Sequence, residues 1–176
     1  MFWVLESHGH ERTQVLDGGF SAWNTHSPEL SISTTPRTLD VNEFIARVRP
    51  ERIATKLNVR QATDDSRTAV IDTQPKEEYT GESSPLGLKR HIPSAVHIQW
   101  DSALRDAGDS LLLKDEAQLL EAFNRIPNDT EDVIAYCNKG KQSAVLYLGL
   151  RQAGFAVSAY DGSWFEWSND PSLPIE

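Results

Sequence analysis

Two short apolar runs, Thr68–Asp72 (TAVID) and Asp132–Tyr136 (DVIAY), constrain this chain more than any other feature. Neither alternates polar and apolar residues, so each reads as a strand buried on both faces, as in a parallel sheet. Ala95–Ile98 and Ala156–Tyr160 read the same way, and Phe44–Val48 alternates like an edge strand. Helical patterns lie between: Leu57–Ala62, Asp115–Phe123 with acids in its first turn, and Ser143–Ala153. Strands alternating with helices imply an α/β fold of three layers, a mostly parallel sheet with helices on both faces. The working crevice of such a sheet lies at the carboxyl ends of its strands.

Cys137 stands at such an end, in the turn AYCNKGKQS, and it is the sole cysteine of 176 residues. A thiol reacts as thiolate, which helix N-termini and neighbouring cations stabilise. This turn offers both. Gly140 lets the backbone curl so that successive N–H groups converge into an anion-binding nest. The helix from Ser143 adds its positive end, and Lys139 and Lys141 add charge. An inert buried cysteine is the ordinary alternative for a lone Cys, but it requires no such turn.

A net charge of −9 argues against a general nucleic-acid binder, which carries a basic face. No run reaches the roughly 18 apolar residues of a membrane span. One cysteine forms no internal disulfide and implies no oxidising compartment, so a cytoplasmic location is expected. His8 and His10 lack a third ligand, so neither a metal nor a cofactor is expected.

Val15–Trp23 (VLDGGFSAW) reads against Ala159–Trp167 (AYDGSWFEW), a domain length apart. Both read as a strand end, an Asp-Gly turn and a short helix with aromatic residues at i, i+3 spacing facing inward. Residues 1–23 are therefore expected to be the C-terminal remnant of a first copy, the chain beginning midway through it. Residues 24–40, rich in Ser, Thr and Pro, read as a linker, and 41–176 as a complete domain.

YCNKGKQS, followed by AYDGSWFEW and preceded by VIDTQPKEEYTG and RHIPSAVHI, resembles the rhodanese sulfurtransferases, most closely the tandem-domain thiosulfate and mercaptopyruvate enzymes. The resemblance implies a non-catalytic first copy and a catalytic domain over 41–176. It implies that Cys137 takes sulfur from thiosulfate or 3-mercaptopyruvate as a persulfide and passes it to a thiophilic acceptor such as cyanide or a thiol. Asn138, Lys139, Gly140, Lys141, Gln142 and Ser143 would hold the persulfide. Asp72 is expected to support the site as a turn acceptor or an orienting group, and His91 to order the turn before a strand, with a base for Cys137 as its second reading. Lys139 and Lys141 lean toward thiosulfate. Some family members place arginines in the segment matching Asp72–Tyr79 and use them on the substrate anion, where this chain has Gln74 and Glu78. Glu77, Glu78 and Glu82 read as a solvated face.

Two rivals are weighed. A phosphatase of the same fold needs an arginine six places after its cysteine to fork onto phosphate, and Ser143 stands there. A non-catalytic module for sulfur carriage or partner binding is the alternative from another class. Small molecules are the expected partners, with no nucleic acid and no membrane; the sequence leaves the oligomeric state open.

Overall fold

A computed structural model describes residues 1–26, 32–39, 43–84, 87 and 90–176 of the chain. Part of the expected 24–40 linker and the first residues of the 41–176 domain lie outside that set. Four parallel strands form the central sheet in the order β2 (Val96–His97), β1 (Thr68–Asp72), β5 (Asp132–Tyr136), β6 (Val157–Ala159). Its register pairs Asp72 with Tyr136 and with His97, and Ala135 with Ala159, so the strands end side by side.

Successive residues of a strand face opposite layers, and the two apolar runs follow that rule. Ala69 and Ile71 of β1, with Val133 and Ala135 of β5, face a core shared with helices α5 (Glu116–Ala122) and α6 (Ser143–Gln152). Val70, Ile134 and Tyr136 face the other core, built on α3 (Lys56–Ala62) and α7 (Ser163–Ser168) with Trp164 and Trp167. Both tryptophans are fully buried, each contributing on the order of 2–3 kcal/mol. Capping boxes start α3 at Thr55 and α5 at Asp115, where side chain and backbone satisfy each other's donors.

Three elements depart from the sequence reading. Phe44–Val48 forms no strand; Arg47 and Arg49 only donate their N–H groups to the carbonyls of His8 and Ser7. Phe44, Ile45 and Val48 are all exposed, so the alternation has no covered face to serve. A two-stranded antiparallel hairpin, β3 (Leu104–Asp106) with β4 (Leu111–Leu113), stands where no strand was expected. In α2 (Gly19–His26) Phe20 and Trp23 do not face inward as Trp164 and Trp167 do; they are 64% and 36% exposed. Among the described residues no helix is long and apolar enough to cross a membrane.

The N-terminal helix α1 (Phe2–Ser7) is fastened to the domain by more than apolar contact. Phe2 and Trp3 pack on the α5–α6 core, and Trp3 Nε1 donates to the Arg52 carbonyl at 2.7 Å. Glu6, 12% exposed, accepts from Tyr147 Oη at 2.6 Å and pairs with Arg151 at 3.0 Å, with Arg52 at 3.9 Å. Burial alone would raise the Glu6 carboxyl, but the Tyr147 and Arg151 bonds and the two arginine charges together hold it below its ordinary 4.5. A lowered folded value stabilises above the unfolded value and is lost as pH falls through it. Glu6→Gln should therefore cost ~2 kcal/mol at pH 7, with the deficit in melting temperature shrinking below pH 4.5. A pH-independent deficit would mean the loss is packing rather than charge.

Candidate active site

The site is the loop from Cys137 to Gln142, between β5 and α6. Leaving β5, the chain cannot continue the ladder, because β6 ends at Ala159 and turns into α7 alongside it. The amides of α7 take over instead: Trp164 N–H donates to the Cys137 carbonyl at 2.9 Å, and Phe165 N–H to the Asn138 carbonyl at 3.1 Å. In a trans peptide the carbonyl of one residue and the N–H of the next point in opposite directions. With the carbonyls of Cys137 and Asn138 drawn to α7, the N–H groups of Asn138 and Lys139 point to the opposite side. No protein acceptor takes the N–H of any residue from Asn138 to Ala144 among the described residues. A run of unclaimed amides at the N-terminus of α6 is what an anion requires.

Gly140 makes this curl possible. Its φ is +79°, and an added Cβ would lie 2.6 Å from Asp161 Oδ1. Ser143 Oγ donates to the Gly140 carbonyl at 3.1 Å and closes the loop onto the helix. Ser163 is buried at φ +54°. Its Oγ donates to the Tyr160 carbonyl at 2.8 Å and accepts the Cys137 N–H at 3.5 Å. Cys137 itself, at the start of the loop, is 1% exposed. A large surface hollow of about 980 Å³ lies elsewhere, reaching Gln152 at the far end of α6.

The expected site residues divide. Asn138 to Gln142 form the loop, Ser143 opens α6, and Asp72 stands at the end of β1 beside Tyr136. Asp72 Oδ1 accepts Gln74 N–H at 2.8 Å within the turn, and Oδ2 accepts Tyr136 Oη at 2.6 Å across the sheet. Tyr136 Oη in turn accepts Ile92 N–H at 3.0 Å, so the pair ties two strand ends to the turn before β2. Tyr136 was not among the expected residues; its register beside Asp72 was the signal. His91 stacks on the Tyr79 ring at 3.9 Å with Nδ1 on the Tyr79 carbonyl at 3.0 Å, an ordering role for that turn. Lys139 and Lys141 are exposed, and Lys139 Nζ sits over the Phe165 ring at 5.1 Å.

Glu78 leaves the solvated face expected for it. From α4 (Lys76–Tyr79) it is half-buried and accepts the Asn138 side-chain amide next to Cys137, whereas Glu77 and Glu82 are exposed. In the residues after Asp72, Thr73 Oγ1 and Gln74 Nε2 are buried without a partner among the described residues, a rarity in native structures. Thr73 N–H still bonds the Tyr136 carbonyl at 2.9 Å, so these orphan atoms belong to the same strand end as Cys137. Among the described residues no group of three His, Cys, Asp or Glu could hold a metal ion.

Burial pushes the Asp72 carboxyl up to about 7, against the Tyr136 and Gln74 bonds and with some help from the Glu78 charge. The folded chain thus holds a proton that the unfolded chain releases near 3.8, and stability declines as pH rises between the two values. Asp72→Asn should flatten the stability–pH curve over that window, measured by urea unfolding from pH 4 to 8; a curve with the native slope would place the titration at another group.

Comparison with known proteins gives a match of residues 55–170 to the Rhodanese-like domain. The chain is 30% identical to the 3-mercaptopyruvate sulfurtransferase of Escherichia coli K12 and 27% identical to the thiosulfate sulfurtransferase of Pseudomonas aeruginosa. Each alignment covers 99% of this chain, which spans 62% and 63% of the two relatives' length. Among solved structures, SseA of Escherichia coli, described as a 3-mercaptopyruvate sulfotransferase, superimposes with a TM-score of 0.76 at 27% identity, over 93% of this chain and 60% of that one. An EanB variant captured as a cysteine persulfide with ergothioneine superimposes with a TM-score of 0.84 at 25% identity, over 99% of this chain and 44% of that one.

Proposed function

The chain belongs to the rhodanese family, and we propose that it is a sulfurtransferase working through a persulfide on Cys137. The observation that carries this is the loop itself: one buried thiol at its start, with the N–H groups from Asn138 to Ala144 unclaimed by protein acceptors among the described residues. In the first half-reaction the Cys137 thiolate attacks the outer sulfur of the donor. A new S–S bond forms to Sγ, and the donor's bond to that sulfur breaks, its electron pair leaving with sulfite or with the pyruvate fragment. The persulfide carries the negative charge, and the loop amides with the α6 N-terminus supply its counterpart. In the second, a thiophilic acceptor takes the outer sulfur and returns Cys137 to thiolate, so one hard transfer becomes two easier ones.

Thiosulfate and 3-mercaptopyruvate are the donors named by the relatives, and either suits this chemistry. The lysines favour the dianion less than the sequence alone suggests, since Lys139 rests on Phe165 and Glu78 sits against the loop. Residues 41–176 are the unit proposed to carry the reaction. The likeness of Asp17–Trp23 to Asp161–Trp167 supports reading 1–23 as part of a second copy of the fold.

The near-complete burial of Cys137 favours one other reading, a carrier that accepts sulfur without turning over. Cys137→Ser tests the role of the thiol, and discharge of the loaded native protein separates the two readings. It should lower thiosulfate:cyanide and mercaptopyruvate:cyanide sulfur transfer by more than about a thousandfold while leaving the melting temperature within a few degrees. Equal activity in the variant would remove Cys137 from the chemistry. A native protein that gains one sulfur by mass but never releases it to cyanide would be a carrier.

A further inference from the structure

The charge nearest the loop that is held in place is negative. Glu78 is half-buried, bonded to the Asn138 amide, and forms no ion pair with a cation among the described residues. Its neighbour Tyr79 anchors α4: the ring stacks with His91 at 3.9 Å and His97 at 4.6 Å, and Oη donates to the Ala95 carbonyl at 3.1 Å. This packing fixes the backbone of α4, and the bond from the Asn138 amide holds the Glu78 carboxylate against the loop. Its field reaches the interior, where it adds to the elevation that burial imposes on Asp72. On another side of the loop, Asp161 Oδ1 crowds Gly140. Lys139 and Lys141, by contrast, are exposed on flexible stems, Lys139 over Phe165, so their charges are screened by water and salt.

The two substrates meet this carboxylate under different conditions. A donor's negative charge is met by loop amides that are still free. The acceptor arrives when those amides already hold the persulfide, so for it the Glu78 charge is uncompensated. We propose that Glu78 determines the acceptor class, favouring thiols that carry a positively charged group over neutral thiols and those over anionic ones. This rests on the sulfurtransferase reading above and names the second substrate of that reaction. The step is R–S⁻ attack on the outer sulfur of the Cys137 persulfide. A bond forms from the thiol sulfur to the outer sulfur, the Sγ–S bond breaks, its electron pair returns to Cys137 Sγ, and R–S–S⁻ departs.

The test is discharge of the preloaded persulfide. The native protein and Glu78→Gln are loaded with thiosulfate, the added sulfur is confirmed by mass, and single-turnover release is timed with cysteamine, 2-mercaptoethanol and 3-mercaptopropionate at low ionic strength. Gln retains an acceptor for Asn138 but no charge, and dividing each native rate by the variant rate cancels the differing thiol pKa values. That quotient should be about fivefold larger for cysteamine than for 3-mercaptopropionate, with 2-mercaptoethanol between, and the spread should collapse in high salt. Glu78→Ala, which also removes the Asn138 bond, should show the same order. Equal quotients for the three thiols overturn the proposal while leaving the transferase reading standing; failure of the native protein to load from either thiosulfate or 3-mercaptopyruvate overturns both.

Discussion

Everything at the site depends on two backbone hydrogen bonds, from the Trp164 and Phe165 amides of α7 to the carbonyls of Cys137 and Asn138. They are not side-chain chemistry, yet they turn the first peptide planes of the loop so that the following amides face away from α7. Trp164 and Trp167 make that possible, because their burial fixes α7 against the sheet end. A core aromatic cluster and the backbone of the loop are thus one construction. The strained Ser163 at its start joins them, touching both the Tyr160 carbonyl and the Cys137 amide.

A second construction lies beneath. Asp72, Tyr136 and the Ile92 amide form a buried polar chain linking β1, β5 and the turn before β2. Buried polar chains specify geometry more than they stabilise, and this one fixes the level at which β1 and β5 end. It also places a proton-holding carboxyl one residue from the thiol in register. Carboxyl groups surround the loop, Asp72 and Glu78 held by hydrogen bonds and Asp161 beside Gly140, while the lysines are exposed.

The sheet was legible because strands buried on both faces must be apolar throughout, as TAVID and DVIAY are. The loop was legible because glycine and a lone thiol after such a strand have few other uses. What escaped depended on partners remote in sequence. Phe44–Val48 has the alternation of a strand but no strand beside it among the described residues. The 104–113 hairpin has Asp-Ala-Gly-Asp turn residues but no alternation to frame them. Phe20 and Trp23 share the spacing of Trp164 and Trp167 yet have no core above them here. Glu78 looked solvated because the residue it serves, Asn138, lies 60 positions away.

The central claim is that the loop amides, and not a charged side chain, hold anionic sulfur on Cys137. A crystal structure of the thiosulfate-treated protein measures this directly. The account requires a second sulfur on Sγ, within hydrogen-bonding distance of several N–H groups between Asn138 and Ser143. A sulfur seated instead against Lys139 or Lys141, or turned away from those amides, would contradict it.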